Sequence, residues 1–250
     1  MTQFMRWYSQ AGTPEVTVSG RHDAKRKTYT LECRQSLAPT PGQPEKEPMV
    51  IPLVLGLVGK DGDDLPLKLA DGKIERGVLV LTEPQQTFEF ANIKERPVLS
   101  INRGFSAPIK LVTDLTADDL AFLAAHDSDP FNRWQALQTS AMRLLLENVA
   151  ALRAGKPPRS DDRLIAALAA ILEDTGLEPA FVALALVPPG EGDIARELGH
   201  DIDPDAIFRA RLTLRADIGQ RLGPALSSIY DRLAVPGPYA PDAASARRRA

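Results

Sequence analysis

Cysteine is nearly missing from this chain of 250 residues: Cys33 stands alone, and there are only three histidines. One thiol can close no internal disulfide, so a reducing, cytoplasmic setting is the expectation. No segment approaches the ~18 consecutive apolar residues of a membrane-spanning helix. Nor does a basic start followed by an apolar stretch mark a secretory signal. Runs of like charge are equally scarce and short, Arg247-Arg248-Arg249 among them. With a formal net charge of −3, the chain has no general attraction for a phosphate backbone, so neither nucleic acid nor membrane is an expected partner. What is present is ordinary for a globular protein with a core: 44% hydrophobic and 25% charged residues,.

The chain opens on Phe4, Trp7 and Tyr8, spaced three and four apart as on one face of a short helix that Gly12 and Pro14 end,. So short a helix is marginal alone, and it reads as the tail of a longer element. From Pro14 to Leu111 the pattern is that of strands. Glu15–Val18 and Thr28–Arg34 alternate and form a hairpin; Val50–Val58 is more continuously apolar,. Pro52 places that strand at an edge or at its own first residues. Val78–Leu81, Thr87–Phe90, Val98–Ile101 and Ile109–Val112 complete a set of short strands parted by Gly, Pro and Asp. Such a set argues for a β-sandwich of immunoglobulin-like size. The proline-rich stretch Ala38–Pro48 reads as a surface excursion.

After Asp114 the period changes to that of helices. Thr116 and Asp119 have capping-box spacing, and Asp129-Pro130 opens a long helix carrying Trp134, Leu137, Met142, Leu145 and Val149,. Helices follow over Ser160–Glu173, Glu178–Leu186, Glu191–Leu198 and Pro204–Tyr230, the last expected to be split or kinked at Gly219 and Gly223-Pro224. Short links between them suit a bundle or solenoid. The expected architecture is multidomain β then α, with an all-α, superhelical second part. Residues 1–12 are a leading tail, 13–113 the sandwich, 114–234 the helical part, and 235–250 a frayed end.

Chemistry-bearing residues do not assemble in the sequence. A zinc hydrolase site needs two histidines one helical turn apart with a glutamate between them; His22, His126 and His200 have no such neighbours. His126 with Asp127, Ser128 and Asp129 reads as an interhelix loop in which Asp129 caps the next helix. His200 with Asp201, Asp203 and Asp205 lacks the glycine and terminal glutamate of a calcium loop. Cys33 in a strand reads as a buried thiol, and Gly56–Asp61 lacks the phosphate-loop pattern. No catalytic, cofactor-binding or metal-binding residue is therefore assigned.

Several stretches, in order, closely resemble the bacterial zinc aminopeptidase N family. They are Trp7–Pro14, Thr40–Lys46 with Ile51-Pro52, Thr82–Phe88, Phe105–Leu111 and Asp129–Trp134. The resemblance runs from about Gln3 to about Tyr230 and implies the family's small β-sandwich followed by the front of its helical domain. It implies also that residues 3–10 end a catalytic domain not contained here. The family's zinc-binding His-Glu-x-x-His motif, distal glutamate, Gly-x-Met-Glu-Asn motif and catalytic tyrosine match no stretch of this chain. On this reading the chain is a non-catalytic C-terminal fragment, zinc belongs to the intact parent, and Trp7 and Tyr8 are the expected contacts to a catalytic half. The alternatives are a stand-alone protein-binding scaffold module, or a subunit completing a separately encoded catalytic half.

Overall fold

The computed structural model describes residues 2–70, 72, 74, 76–234, 240–243 and 245–246. These form two compact units. The first comprises Met1–Asp119 with His126–Asn132, the second Leu120–Ala125 with Arg133 onward. Most of the expected frayed end (235–239, 244 and 247–250) lies outside the described residues.

The first unit holds a short helix α1 (Arg6–Ser9) and seven strands. These are β1 (Glu15–Asp23), β2 (Thr28–Ser36), β3 (Ile51–Val58), β4 (Val78–Leu81), β5 (Gln85–Ala91), β6 (Val98–Ile101) and β7 (Lys110–Thr113). One sheet has the order β5-β2-β1-β7, the other β4-β3-β6. All pairs are antiparallel except β1 with β7, which run parallel in the register Val16 to Leu111. Alternation decides which side chains face inward. On β2, Tyr29, Leu31, Cys33 and Gln35 are buried while Glu32, Arg34 and Ser36 are exposed. Val16 and Val18 of β1, Ile51, Leu53, Leu55 and Leu57 of β3, and Phe90 of β5 meet them in a single core. Each such side chain, fully buried, contributes about 1.5–3 kcal/mol.

Pro52 sits at the second residue of β3, opposite Val80 of β4. The sequence left two placements open, and the structure takes the one at the strand's own beginning. Gln35 occupies a core position that alternation would give to a hydrophobe. Its amide there accepts from Met49 N at 2.7 Å and donates to the carbonyls of Met49 and Glu83 at 2.9 and 3.0 Å. A buried amide so satisfied carries no desolvation penalty that its bonds do not offset.

The second unit is built from α2 (Ala117–His126) and α3 (Pro130–Arg153), apart from the residues of each that belong to the first unit. It continues with α4 (Asp162–Glu173), α5 (Pro179–Ala185), α6 (Glu191–Leu198) and α7 (Pro204–Leu233). Leu137, Leu145, Leu168, Ile171, Ile207 and Leu214 are among its buried apolar residues. Helix starts obey local chemistry: Asp161 accepts from Arg163 N and Leu164 N, and Asp203 accepts from Ala206 N ahead of Pro204,. The linker between α3 and α4 turns at Gly155 (φ +69°), and Asn148 grips Arg159 through both its amide atoms, at 2.8 and 2.9 Å.

Of the split or kink expected in the last helix, the split is not found: α7 runs through Gly219 and Pro224 as one helix. Pro224 removes the donor that would bond the carbonyl of Gln220. Gln220 is exposed, so water can take the place of that donor. Among the described residues no helix is long and apolar enough to cross a membrane.

Candidate functional site

The residues that sequence singled out for chemistry are held in structural positions. Cys33 is 0% exposed on β2, and burial, with Glu32 a second cause, pushes its thiol up to about 12. A thiol so protonated is a poor nucleophile at neutral pH. His22 on β1 shares a hydrogen bond with the Ile93 carbonyl at 3.0 Å, which fixes a proton on Nε2,. His126 lies across Gly62, whose φ of +89° only glycine adopts freely,. His200 follows α6 and faces Asp201 at 3.3 Å, both exposed. Among the described residues no three His, Cys, Asp or Glu side chains converge as a metal site. His22 stands in β1, His126 ends α2 and His200 follows α6.

Two polar assemblies in the first unit are built instead from the stretches that carry the resemblance. One clamps α1. Trp7 packs against the sandwich core and donates Nε1–H to the Val50 carbonyl at 2.8 Å. Gln3 and Arg6 both donate to the Pro48 carbonyl, and Arg6 pairs with Glu47 at 2.8 Å. Gln10 exchanges two bonds with the Glu47 backbone. Gln43 reaches Ala11 N and the Ser9 carbonyl, and Lys46 Nζ donates to the Ala11 carbonyl, Thr40 Oγ1 and Gln43 Oε1. The proline-rich excursion is therefore a bracket that holds a helix too short to persist alone. Trp7 is turned into its own unit, while Tyr8 is 78% exposed and meets Phe4 edge-on at 6.4 Å.

The other assembly centres on Arg103, in the 3-10 turn Arg103–Phe105 after β6. Its guanidinium lies flat over Gly56 of β3, where an added Cβ would stand 2.2 Å from Arg103 Cζ. It pairs with both oxygens of Asp64 at 2.7 Å, with Asp127 Oδ1 at 3.0 Å, and through Nε with Ser100 Oγ at 2.7 Å. Asn132 donates to Ser100 Oγ and to the Ile101 carbonyl; Asp129 accepts from Gly104 N at 3.1 Å and caps Asn132 N at 2.9 Å. The expected cap is thus found, and it doubles as a tie to the turn. Arg103 holds the Asp64 carboxyl below the usual carboxylate range. Asn102 and Phe105 both have positive φ, 61° and 54°, and Phe105 packs on Phe131 at 5.5 Å. Left-handed backbone at an aromatic residue costs on the order of 1–3 kcal/mol and persists where surrounding contacts over-determine it. Neither Arg103 nor Gly56 carries a local signal that sequence reading could have found, because Asp64, Asp127 and the Arg103–Gly56 contact itself join residues far apart in the chain.

A polar cavity of about 70 Å³ opens beside Tyr29, His22, Arg96, Asp114 and Asp119. Arg96 and Asp119 form a two-point pair at 3.0 and 3.1 Å; Thr116 and Asp119 close the expected capping box. Burial, then Asp114, raises the Tyr29 phenol above its ordinary range. The second unit's main buried cation, Arg133, is occupied by the Ala124 carbonyl at 2.9 Å and Asp174 at 3.0 Å.

Residues 117–250 match the family described as a domain of unknown function (DUF3458_C) with ARM repeats, over more than half of the chain. The chain belongs to that family. In this DUF3458 chain, residues 12–114 match the companion domain of unknown function (DUF3458) with an Ig-like fold. It is 36% identical to aminopeptidase N of Escherichia coli over 231 residues, 92% of this chain and 26% of that protein. With aminopeptidase N of Caulobacter vibrioides the identity is 40% over 253 residues, 100% of this chain and 28% of the other. Haemophilus influenzae aminopeptidase N gives 34% over 233 residues, 93% and 27%. The resemblance drawn from motifs therefore holds along the chain, which spans about a quarter of the length of these curated relatives. The crystal structure of Legionella pneumophila aminopeptidase A in complex with aspartic acid has the same fold over 97% of this chain and 26% of its own, with a TM-score of 0.77 at 21% identity.

Proposed function

We propose that this chain supplies the Ig-like and ARM-repeat part of a zinc-dependent aminopeptidase N and is itself non-catalytic. In the intact protein, release of amino-terminal residues by a zinc-activated water would be the work of residues outside this chain. The observation that carries the reading is collinearity: 92–100% of the chain aligns with only 26–28% of relatives called aminopeptidase N. Supporting it, His22 bonds to the Ile93 carbonyl, Cys33 is buried in the sandwich core, and Arg103 is held by Asp64 and Asp127. The role that remains is scaffolding. The bracketed α1, with Phe4, Met5 and Tyr8 exposed, is the element we assign to contact with a catalytic half, Trp7 acting as its anchor. A cytoplasmic setting is part of the proposal, in keeping with Cys33 as a free thiol,.

The test is a zinc titration of the purified chain combined with an amino-acid arylamide assay. No stoichiometric zinc and no turnover are expected. Bound zinc with genuine turnover would overturn the proposal.

A further inference from the structure

The Arg103 assembly holds more carboxylates than cations. A single guanidinium faces Asp64, Asp127 and Asp129, with the exposed His126 next in sequence to Asp127. Asp64, 40% exposed, takes the two-point pair, and Asp129 is served by two backbone N–H groups. Asp127 is different: its side chain is 0% exposed, its Oδ1 bonds to Arg103 and to Asp129 N, and its Oδ2 has no partner. In the same cluster Asn132 Oδ1 is also buried and unpartnered. Flipping the Asn132 amide would not help, because its nitrogen is needed by the Ile101 carbonyl and Ser100 Oγ,. Ser100 Oγ already accepts from Arg103 and Asn132. Two buried acceptors without a donor, beside an excess of carboxylate, mark a place where a hydrogen is wanted.

We propose that folded Asp127 takes up a proton on Oδ2 in mildly acidic solution, with Asn132 Oδ1 as its acceptor, so that the 126–132 turn is latched to the Arg103 turn by a neutral acid. Burial acts in the same direction, raising the Asp127 carboxyl above the usual carboxylate range against the pull of Ser100, Asp129 N and Arg103,. A raised folded pKa makes the folded state bind the proton more tightly than the unfolded one. The latch's contribution is then fully present below the unfolded carboxylate pKa and is lost as pH rises through the folded pKa.

The decisive comparison is the thermal midpoint against pH for the full chain and for Asp127→Asn. The amide matches the acid in shape, carries no charge, and has a hydrogen where Oδ2 lacks one. The variant is expected to equal the parent in mild acid and to gain on it as pH rises. A variant that loses stability at neutral pH, the loss shrinking on acidification, would identify an ordinary Arg103 ion pair and overturn the latch. A difference that does not vary with pH overturns it too, since a buried water on Oδ2 would leave Asp127 charged throughout. Should the variant not fold, the carboxyl-carbon NMR titration of Asp127 in the parent chain decides. A midpoint above that of aspartate in a disordered peptide supports the proposal; one at or below it does not.

Discussion

The sandwich unit and the helical unit are stabilised by different kinds of interaction. In the helical unit, helix starts are served by side chains a few residues away: Asp161 caps α4 and Asp203 caps α7, while Asn148 reaches Arg159 across the α3–α4 turn. Long-range polar bonds there are fewer, Arg133 to Asp174 being the most buried. In the sandwich unit, Gln3, Trp7, Gln35, Gln43, Arg103 and Asn132 each bond to residues far away in the chain. Helices satisfy their own backbone, whereas strands and loops leave donors and acceptors that only distant chain can meet. Damage to the sandwich should therefore spread, and damage to a helix cap should stay local.

The largest expected effect is Arg103→Ala. It strands Asp127 in the interior and frees Asp64, and breaking a buried pair in this way costs about 3–5 kcal/mol. Urea unfolding can separate the units optically, because each contains one tryptophan, Trp7 in the first and Trp134 in the second. Read in a Trp134→Phe background, Arg103→Ala should lower the Trp7 transition; read in a Trp7→Phe background, it should leave the Trp134 transition nearly in place. Coincident shifts of both signals would break the comparison and make the chain a single cooperative unit.

Gly56→Ala comes next. The new methyl would overlap the guanidinium resting on that glycine, and Arg103 can retreat only by giving up its bonds. A loss of about 1–3 kcal/mol is expected in the same Trp7 signal. Lys46→Ala, which removes the central donor of the α1 bracket, should cost about 1 kcal/mol. Hydrogen exchange should also rise over residues 3–11 while the strands keep their protection. Smaller and local is Asp161→Ala, a cap loss of about 1 kcal/mol seen only in the Trp134 signal. Acid sharpens the contrast further. Asp64 and Asp119 have lowered pKa values in the folded sandwich: Arg103 is the main cause for Asp64, and Arg96 and Thr116 outweigh burial at Asp119. Their stabilisation is present above the unfolded carboxylate pKa and is lost as pH falls through the folded values, opposite in sign to Asp127. Replacing Asp64 with Asn should flatten the acid limb of the sandwich transition.

Local code made the elements legible. Alternation in Thr28–Ser36, apolar continuity in Ile51–Val58, the Thr116–Asp119 capping box and Asp129-Pro130 were all readable because their signals lie within a few residues. The motif stretches were readable too, though as a likeness and without a reason. Their reason is tertiary: Trp7–Ala11 and Thr40–Val50 form the bracket, while the Phe105–Leu111 and Asp129–Trp134 stretches adjoin the Arg103 assembly. A split in α7 does not follow from Pro224, because the exposure of Gln220, which lets water replace the lost donor, is not visible in a local reading.

Sequence by itself thus determined the two classes of structure, the order β then α, and the family, since these follow from periodicity, capping and motif order. Only the tertiary structure decided that Trp7 turns inward and Tyr8 outward, that Gly56 is the floor beneath Arg103, and that Asp127 and Asn132 are left with buried oxygens in want of a hydrogen. Those outcomes depend on pairs separated by tens of residues, whose meeting is set by sheet order and loop closure, and no local pattern encodes a partner at that distance.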